Sequence, residues 1–495
     1  MATKCLLIAL AACSAVALGT TPGAELQINQ RGLDAFAQAG VAILNKRIPG
    51  MTIPDANSLL SEAMHFSWSL SDIKIDSFHV DELKTGVSAE PSDKLNVHIA
   101  DLNFRVSAHY RVKVREGWVH ASKSGTIEAW TSGATTETTI SITSQKGLPI
   151  LTPLQCSANI GDFEIKFHGG IISKIVDIFR HAIAKHLKSK LNDLICREVT
   201  KIASQEGNEA IAKVPLEYDL HGEAKGFHVD YGLTSNPYAT KQYIGIPVQG
   251  KFWYDGHRND VGIPKPSGAV KPLARNEMVC VAFDGQGVFG SATYAFRQSP
   301  KSHFQVDSNL LHHFPEKIRH YFSCDCNGGV TECITALIPE IKAFCKKGGS
   351  IAIDAEATAF PGFHFNSTGA FISAVGKGNF KVVLPGGLST SLFELDAKIG
   401  ILIQNNLRID NWVIKGDVKL YDAELSAKSS VVPISLHHLQ ELWNEALAIV
   451  VSGIADNVLQ NGIPLPNLPK TVPVKPRFAF SSHELLFCCD LKPEF

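Results

Sequence analysis

Between His109 and Arg115 the chain alternates Tyr110, Val112 and Val114 with Arg111, Lys113 and Arg115. In a strand that alternation puts three rings or aliphatic groups on one face and three cations on the other. A turn at Glu116-Gly117 follows, with Trp118 and Lys123 beyond it. Such a cluster can gain about 1 kcal/mol per cation beside an anionic lipid surface, and less in salt. A solvated strand face is the plain alternative. Other chemistry-bearing patterns are weaker. There is no GxSxG elbow and no HExxH motif, since His483-Glu484 lacks the second histidine. Gly285-Gln286-Gly287-Val288-Phe289-Gly290 spells GxGxxG, but Ser291 to Phe296 reads as a strand where a dinucleotide site needs a helix, so a hairpin turn is expected. His312-His313 and His437-His438 read as exposed residues. The motifs therefore disfavour an enzyme, and neither a cofactor nor a metal is called for.

The cysteines speak to compartment. Met1 to Gly19 combines Lys4 with an apolar run and ends on small residues, which predicts a cleaved signal peptide over 1–19 and a secreted, extracellular product. Nine cysteines then remain, for which disulfides are the default. Cys156 and Cys196 stand alone in the first half and are the obvious pair there. The other seven are Cys280, Cys324, Cys326, Cys333, Cys345, Cys488 and Cys489, so one is free or pairs with another chain. The Cys324-x-Cys326 spacing is not the usual zinc CxxC, and disulfides are preferred. Asn366-Ser367-Thr368 is a glycosylation sequon and predicts a surface loop.

Long periodic elements along the chain must position these groups. With 495 residues, 45% of them hydrophobic, the protein can bury more than one core. Its formal net charge of -1 argues against a nucleic-acid partner. A proline-dense stretch, 257–275, reads as a linker between an amino-terminal part, 20–256, and a carboxy-terminal part, 276–495. Each part shows helix, strands, long helix, strand. The first opens on a helix carrying Leu33, Phe36 and Val41, and the second on strands and then a helix through Ile334 to Phe344. The long helices carry apolar residues at helical spacing. One includes Ile172, Ile175, Phe179, Ile183 and Leu187, and the other runs from Leu436 to Leu459. Rods of about 45 and 37 Å with a stripe along their whole length need a partner as long. The intervening segments alternate like strands, so an antiparallel sheet rolled around each rod is expected, in an α+β fold that leaves an apolar groove for lipid chains.

At these residues the chain resembles the family of bactericidal/permeability-increasing and lipopolysaccharide-binding proteins, in the wider group with the plasma lipid transfer proteins. The run Leu26-Gln27-Ile28-Asn29-Gln30-Arg31-Gly32-Leu33-Asp34, then Ile53-Pro54-Asp55, is similar to the family's start. Val229-Asp230-Tyr231-Gly232-Leu233, Gly250-Lys251-Phe252 and Gly462-Ile463-Pro464-Leu465-Pro466 look like later landmarks, and Cys156 with Cys196 falls where the family has its disulfide. The resemblance implies a boomerang of two elongated barrels joined by a central sheet, with one phospholipid pocket per barrel. In the first barrel the pocket residues would be Leu33, Phe36, Val41, Ile172, Ile175, Phe179, Ile183 and Leu187. It further implies that cations at the first barrel's tip, Lys46, Arg47, Arg111, Lys113, Arg115 and Lys123, bind the lipid A part of lipopolysaccharide in innate, antimicrobial defence. The implied partners are lipopolysaccharide, phospholipid and an anionic bacterial membrane surface. One departure stands out. From Thr20 to Asp255 there are 24 Lys plus Arg against 26 Asp plus Glu, whereas bactericidal members are strongly basic here. An extracellular lipid carrier or transfer protein is the alternative on the same fold.

Overall fold

The computed structural model describes residues 21–61, 66–81, 85–90, 93–116, 119–169, 176–221, 224–268, 276–324, 333–404, 406–410, 412–428, 431–465 and 471–493. The expected signal peptide, Trp118, Ile172, Ile175, Cys326 and the linker from 269 to 275 lie outside these residues.

In the first half an antiparallel sheet is built on Phe66–His79, Lys94–Glu116, Val119–Gln145 and Leu148–Asn159. Its two longest strands have 23 and 27 residues and pair from Lys94 opposite Ser141 to Glu116 opposite Val119. They do not run flat. The register slips around Asp101, which takes a φ of 55°, and Gly133 beside it has a φ of 70°. Such bulges bend strands and increase their twist, curling the sheet. Inside the curl lies the helix Val176–Thr200, whose Phe179, Ile183, Leu187, Leu191, Leu194 and Ile195 are buried against inward residues such as Val106, Ala108, Ile127 and Ala129. Six such side chains contribute on the order of 10 kcal/mol. A disulfide ties the strand Leu148–Asn159 to this helix through Cys156 and Cys196.

A six-stranded antiparallel sheet joins the halves, in the order Tyr238–Ala239, Tyr243–Val248, Ala24–Asn29, Val279–Asp284, Glu484–Pro493, Thr471–Phe480. Three strands come from each half, and Ala24–Asn29 meets Val279–Asp284 across the seam. Cys280 and Cys488 staple the second half's share of the sheet. The next residue, Cys489, points to the opposite face and is a buried free thiol, which accounts for the odd cysteine. Burial pushes its pKa up to about 12, so it stays protonated. Cys324 pairs with Cys345, and Cys333 is disulfide-bonded too.

The second half departs from expectation at two places and adds a detail at the linker. The segment Ser291 to Phe296 is no strand. A wide turn, Gly285–Phe289, opens a helix, Gly290–Gln298, with Val288, Ser291, Tyr294 and Ala295 buried at helical spacing. Six residues of mixed polarity fitted either period, and the tertiary partners decided it. Strand, glycine motif and helix thus occur in sequence, yet the strand is antiparallel to both neighbours, unlike a dinucleotide fold. The helix start is already occupied by a carboxylate: Asp284 accepts from Gly287 N at 2.5 Å and from Ser267 N at 3.2 Å. The glycines also have a packing reason, because a Cβ on Gly287 would lie 2.7 Å from Pro266. Second, the stretch read as a linker is docked over 257–268. Third, the helix expected from Ile334 to Phe344 splits into Ile334–Leu337 and a tighter turn, Pro339–Ala343, because Pro339 has no N–H to continue the ladder.

Beyond these, Ser350–Ala357, Gly369–Val383, Ser389–Gln404 and Val418–Lys428 form the second barrel's sheet. It covers a rod made of Leu436–Leu442, a wide turn at Trp443–Leu447 and Ala448–Asn461, with Leu439, Leu442, Ala446 and Val450 buried. Replacing Gly287 by Val should expel the linker. Limited proteolysis within 257–268 is expected to accelerate at least severalfold while far-ultraviolet circular dichroism is retained, and an unchanged cleavage rate would contradict the docking.

Candidate functional site

The tip strands come together as expected in part. Arg111 and Lys113 are exposed on the outer face, about 7 Å apart along the strand. Their cross-strand neighbours are Ser69 and Ser124, and Ser67 and Ser122. Neither cation has a carboxylate partner among the described residues, so both remain available to an anion. Arg115 lies in the same strand opposite His120, though its side chain is outside the description. Lys123 is exposed but sits opposite Val112, so it projects on the barrel-interior face, not beside Arg111.

Lys46 and Arg47 are not part of this group. Arg47 closes the first helix and holds Glu206 at 2.7 Å and Glu198 at 3.7 Å. The hydrogen bond from Arg47 keeps the Glu206 carboxyl below its ordinary range. Glu198 lies in the last turn of the long helix and Glu206 just beyond it, whereas Phe179, near the other end, touches Tyr110 beneath the tip. The two places are about 28 Å apart along the helix axis. Arg47 is a structural ion pair, and Lys46 is exposed beside it.

The residues expected to line the first pocket also divide. Val41, Phe179, Ile183 and Leu187 are sealed in the barrel core. Phe36 is 47% exposed on the helix's outer side, so it lines no pocket here. Leu33 alone reaches the junction, where it packs with Ala37, Leu95, Ile140, Ala239 and Ile244 between first helix, barrel and central sheet. The corresponding junction of the second half holds a cavity that sequence reading missed. It measures about 80 Å³ and is lined by residues including Phe252, Phe283, Phe289, Leu407, Ile414, Phe480 and Leu485. Phe283 and Leu485 come from the central sheet, and Phe289 from the turn before Gly290–Gln298. Their common signal is alternation within the central strands, which looked like ordinary core. Ligand pockets run to 300 Å³ or more, so an entering chain must part these rings.

A polar pair lies under the tip cations. The Trp68 and His186 rings meet edge to face at 6.1 Å, and the buried Trp68 Nε1 and His186 Nε2 have no hydrogen-bond partner. Burial, aided by Lys190, holds the His186 imidazolium below its usual pKa. Asn366 stands on an exposed turn, where its Oδ1 accepts from Thr368 N at 2.8 Å, in keeping with a surface sequon.

Comparison with known proteins agrees with this architecture. The family model described as "LBP / BPI / CETP family, N-terminal domain" matches residues 32–207, and its C-terminal counterpart matches residues 223–492. The chain belongs to the LBP / BPI / CETP family. Rat bactericidal permeability-increasing protein is 23% identical over 478 residues, 96% of this chain and 94% of the relative. Human phospholipid transfer protein is 23% identical over 306 residues, 60% of this chain and 56% of the relative. A crystal structure of lipopolysaccharide binding protein superposes with a TM-score of 0.65 at 17% identity, covering 96% of this chain and 100% of that one. The family's fold, two barrels on a central sheet in a boomerang, is thus the fold of this chain. Among the described residues no helix is long and apolar enough to cross a membrane.

The His186 environment predicts a pH dependence. Its neutral form is favoured in the fold, so its share of stability is complete above about pH 6.5 and falls as pH drops below that value. Between pH 7.5 and 5, His186→Phe should lose less thermal stability than the wild type, and an equal loss would contradict the assignment.

Proposed function

We propose that this is a secreted, non-enzymatic protein of innate defence that takes phospholipid acyl chains into apolar junctions and binds lipopolysaccharide through its first barrel's tip. The observation that carries the reading is the cavity walled by Phe283, Phe289 and Phe480, where barrel and central sheet meet. At about 80 Å³ the cavity must open to admit a chain of about 14 carbons, whose full burial would offer on the order of 10 kcal/mol before the costs of ordering and of parting the rings. The names of the bactericidal and lipopolysaccharide-binding relatives support the bacterial ligand. So do the unpaired Arg111 and Lys113, beside which Arg115 is the third candidate. The balanced charge of the first half points to local recognition of phosphate groups rather than bulk attraction to a membrane. That same balance, with the likeness to phospholipid transfer protein, favours a lipid carrier as the second reading.

Replacing Arg111, Lys113 and Arg115 by Ser is expected to lower lipid A affinity at least tenfold while bound acyl chains persist. Retained lipid A affinity would remove the tip assignment and leave the carrier reading. Incubation with labelled phospholipid should release no fatty acid, and sustained release would overturn the non-enzymatic reading.

A further inference from the structure

The GxGxxG segment serves no nucleotide, yet it walls a second space. A cleft of about 540 Å³ lies between the docked linker, the start of the helix Gly290–Gln298, the strand Gly362–Asn366 and the turn at Ser482 and His483. Gly285 and Gly290, the first and last glycines of the motif, line it. A side chain at Gly285 would collide, its Cβ lying 2.5 Å from the Phe365 ring, and one at Gly290 would press on Pro264 at 3.1 Å.

The cleft has an aromatic platform. Phe360, 52% exposed, stacks on Tyr294 with centroids 5.1 Å apart and planes 11° from parallel. Tyr294 is fixed from behind, its hydroxyl donating to Asp260 at 3.1 Å. Around the platform stand neutral groups from Gln286, Ser482 and two histidines, His364 and His483, while the hydroxyls of Ser267 and Thr293 donate inward to Asp284 and to the Gly290 carbonyl and offer the cleft only acceptors. Among the described residues no Asp, Glu, Lys or Arg lines the cleft. That composition selects a ligand class. A phosphate would call for Arg or Lys, and a quaternary ammonium for a cage of several ring faces. Here a single flat face is offered, with polar groups at its edge that can both donate and accept.

We infer that this cleft binds an uncharged sugar ring, with its C–H face on Phe360 and its hydroxyls on the neutral rim. The cleft also abuts the apolar cavity: Phe289 of the cavity packs on Phe365 and Phe363 of the cleft at 5.0 and 5.6 Å. The ring therefore belongs either to a free saccharide or to a glycolipid whose chain lies behind that wall. The inference does not depend on lipopolysaccharide recognition at the first barrel's tip.

The test is titration of the full chain with methyl β-D-glucopyranoside and with n-octyl β-D-glucopyranoside below its micellar concentration, read by saturation-transfer NMR and calorimetry. Both should bind, and Phe360→Ser should weaken both at least tenfold without changing the circular dichroism. His483→Ala, on the exposed rim, should weaken them severalfold. Tighter binding of the octyl glucoside identifies a glycolipid site, and equal binding a saccharide site. The inference fails if neither glucoside binds, if Phe360→Ser leaves binding unchanged, or if octyl phosphate or choline binds as well in a Phe360-dependent way.

Discussion

The apolar stripe of the helix Val176–Thr200 has to be covered along its whole length, and the rest of the first half follows from that demand. A rod of 25 residues spans about 37 Å, longer than a compact globule can flank on one side. Strands of 23 and 27 residues supply the cover. Extended, each would reach about 80 Å or more, so they must coil around the rod, and the bulge at Asp101 and Gly133 lets them. Near the helix's first turns one of these strands bears Arg111 and Lys113 on its outer face, while Val112 between them packs into the core. Exposed cations outside and a sealed core beneath them are the two faces of one alternating strand.

At the other end the barrels cannot close on themselves. The central sheet closes both, by inserting Ala24–Asn29 between a strand of its own half and Val279–Asp284 of the other. Each junction meets a helix that starts directly from a central strand, Gln30–Arg47 in the first half and Gly290–Gln298 in the second. Layers of different curvature pack imperfectly there, and the imperfection is where apolar space survives. The docked linker roofs the second junction, with its prolines against the glycines of the helix start. That close approach creates two neighbouring spaces of opposite character, an apolar cavity walled by phenylalanines and a neutral polar cleft.

Much of this was legible in the sequence because it is periodic. The stripes through Phe179, Ile183 and Leu187 and through Leu439, Leu442 and Ala446 announced the rods, and the alternation from His109 to Arg115 announced the tip strand. What stayed hidden depends on partners remote in sequence. Arg47 looked like a free cation because Glu198 and Glu206 lie some 150 residues away. Phe36 looked like a pocket residue because its neighbours Leu33 and Ala37 face inward while it does not. Ser291 to Phe296 read as a strand because nothing local reveals that Pro264 and Pro266 press on the turn and helix start before it. The second junction's cavity was invisible for the same reason: Phe283, Phe289 and Phe480 are plain core residues until the sheet brings them together.

The central claim is that the junctions hold lipid chains. Native mass spectrometry of the purified full chain, before and after lipid extraction, tests it most directly. The structure predicts a mass excess matching one or two phospholipids that extraction removes, whereas a chain that carries no lipid at either stage, even after exposure to phospholipid vesicles, would contradict it.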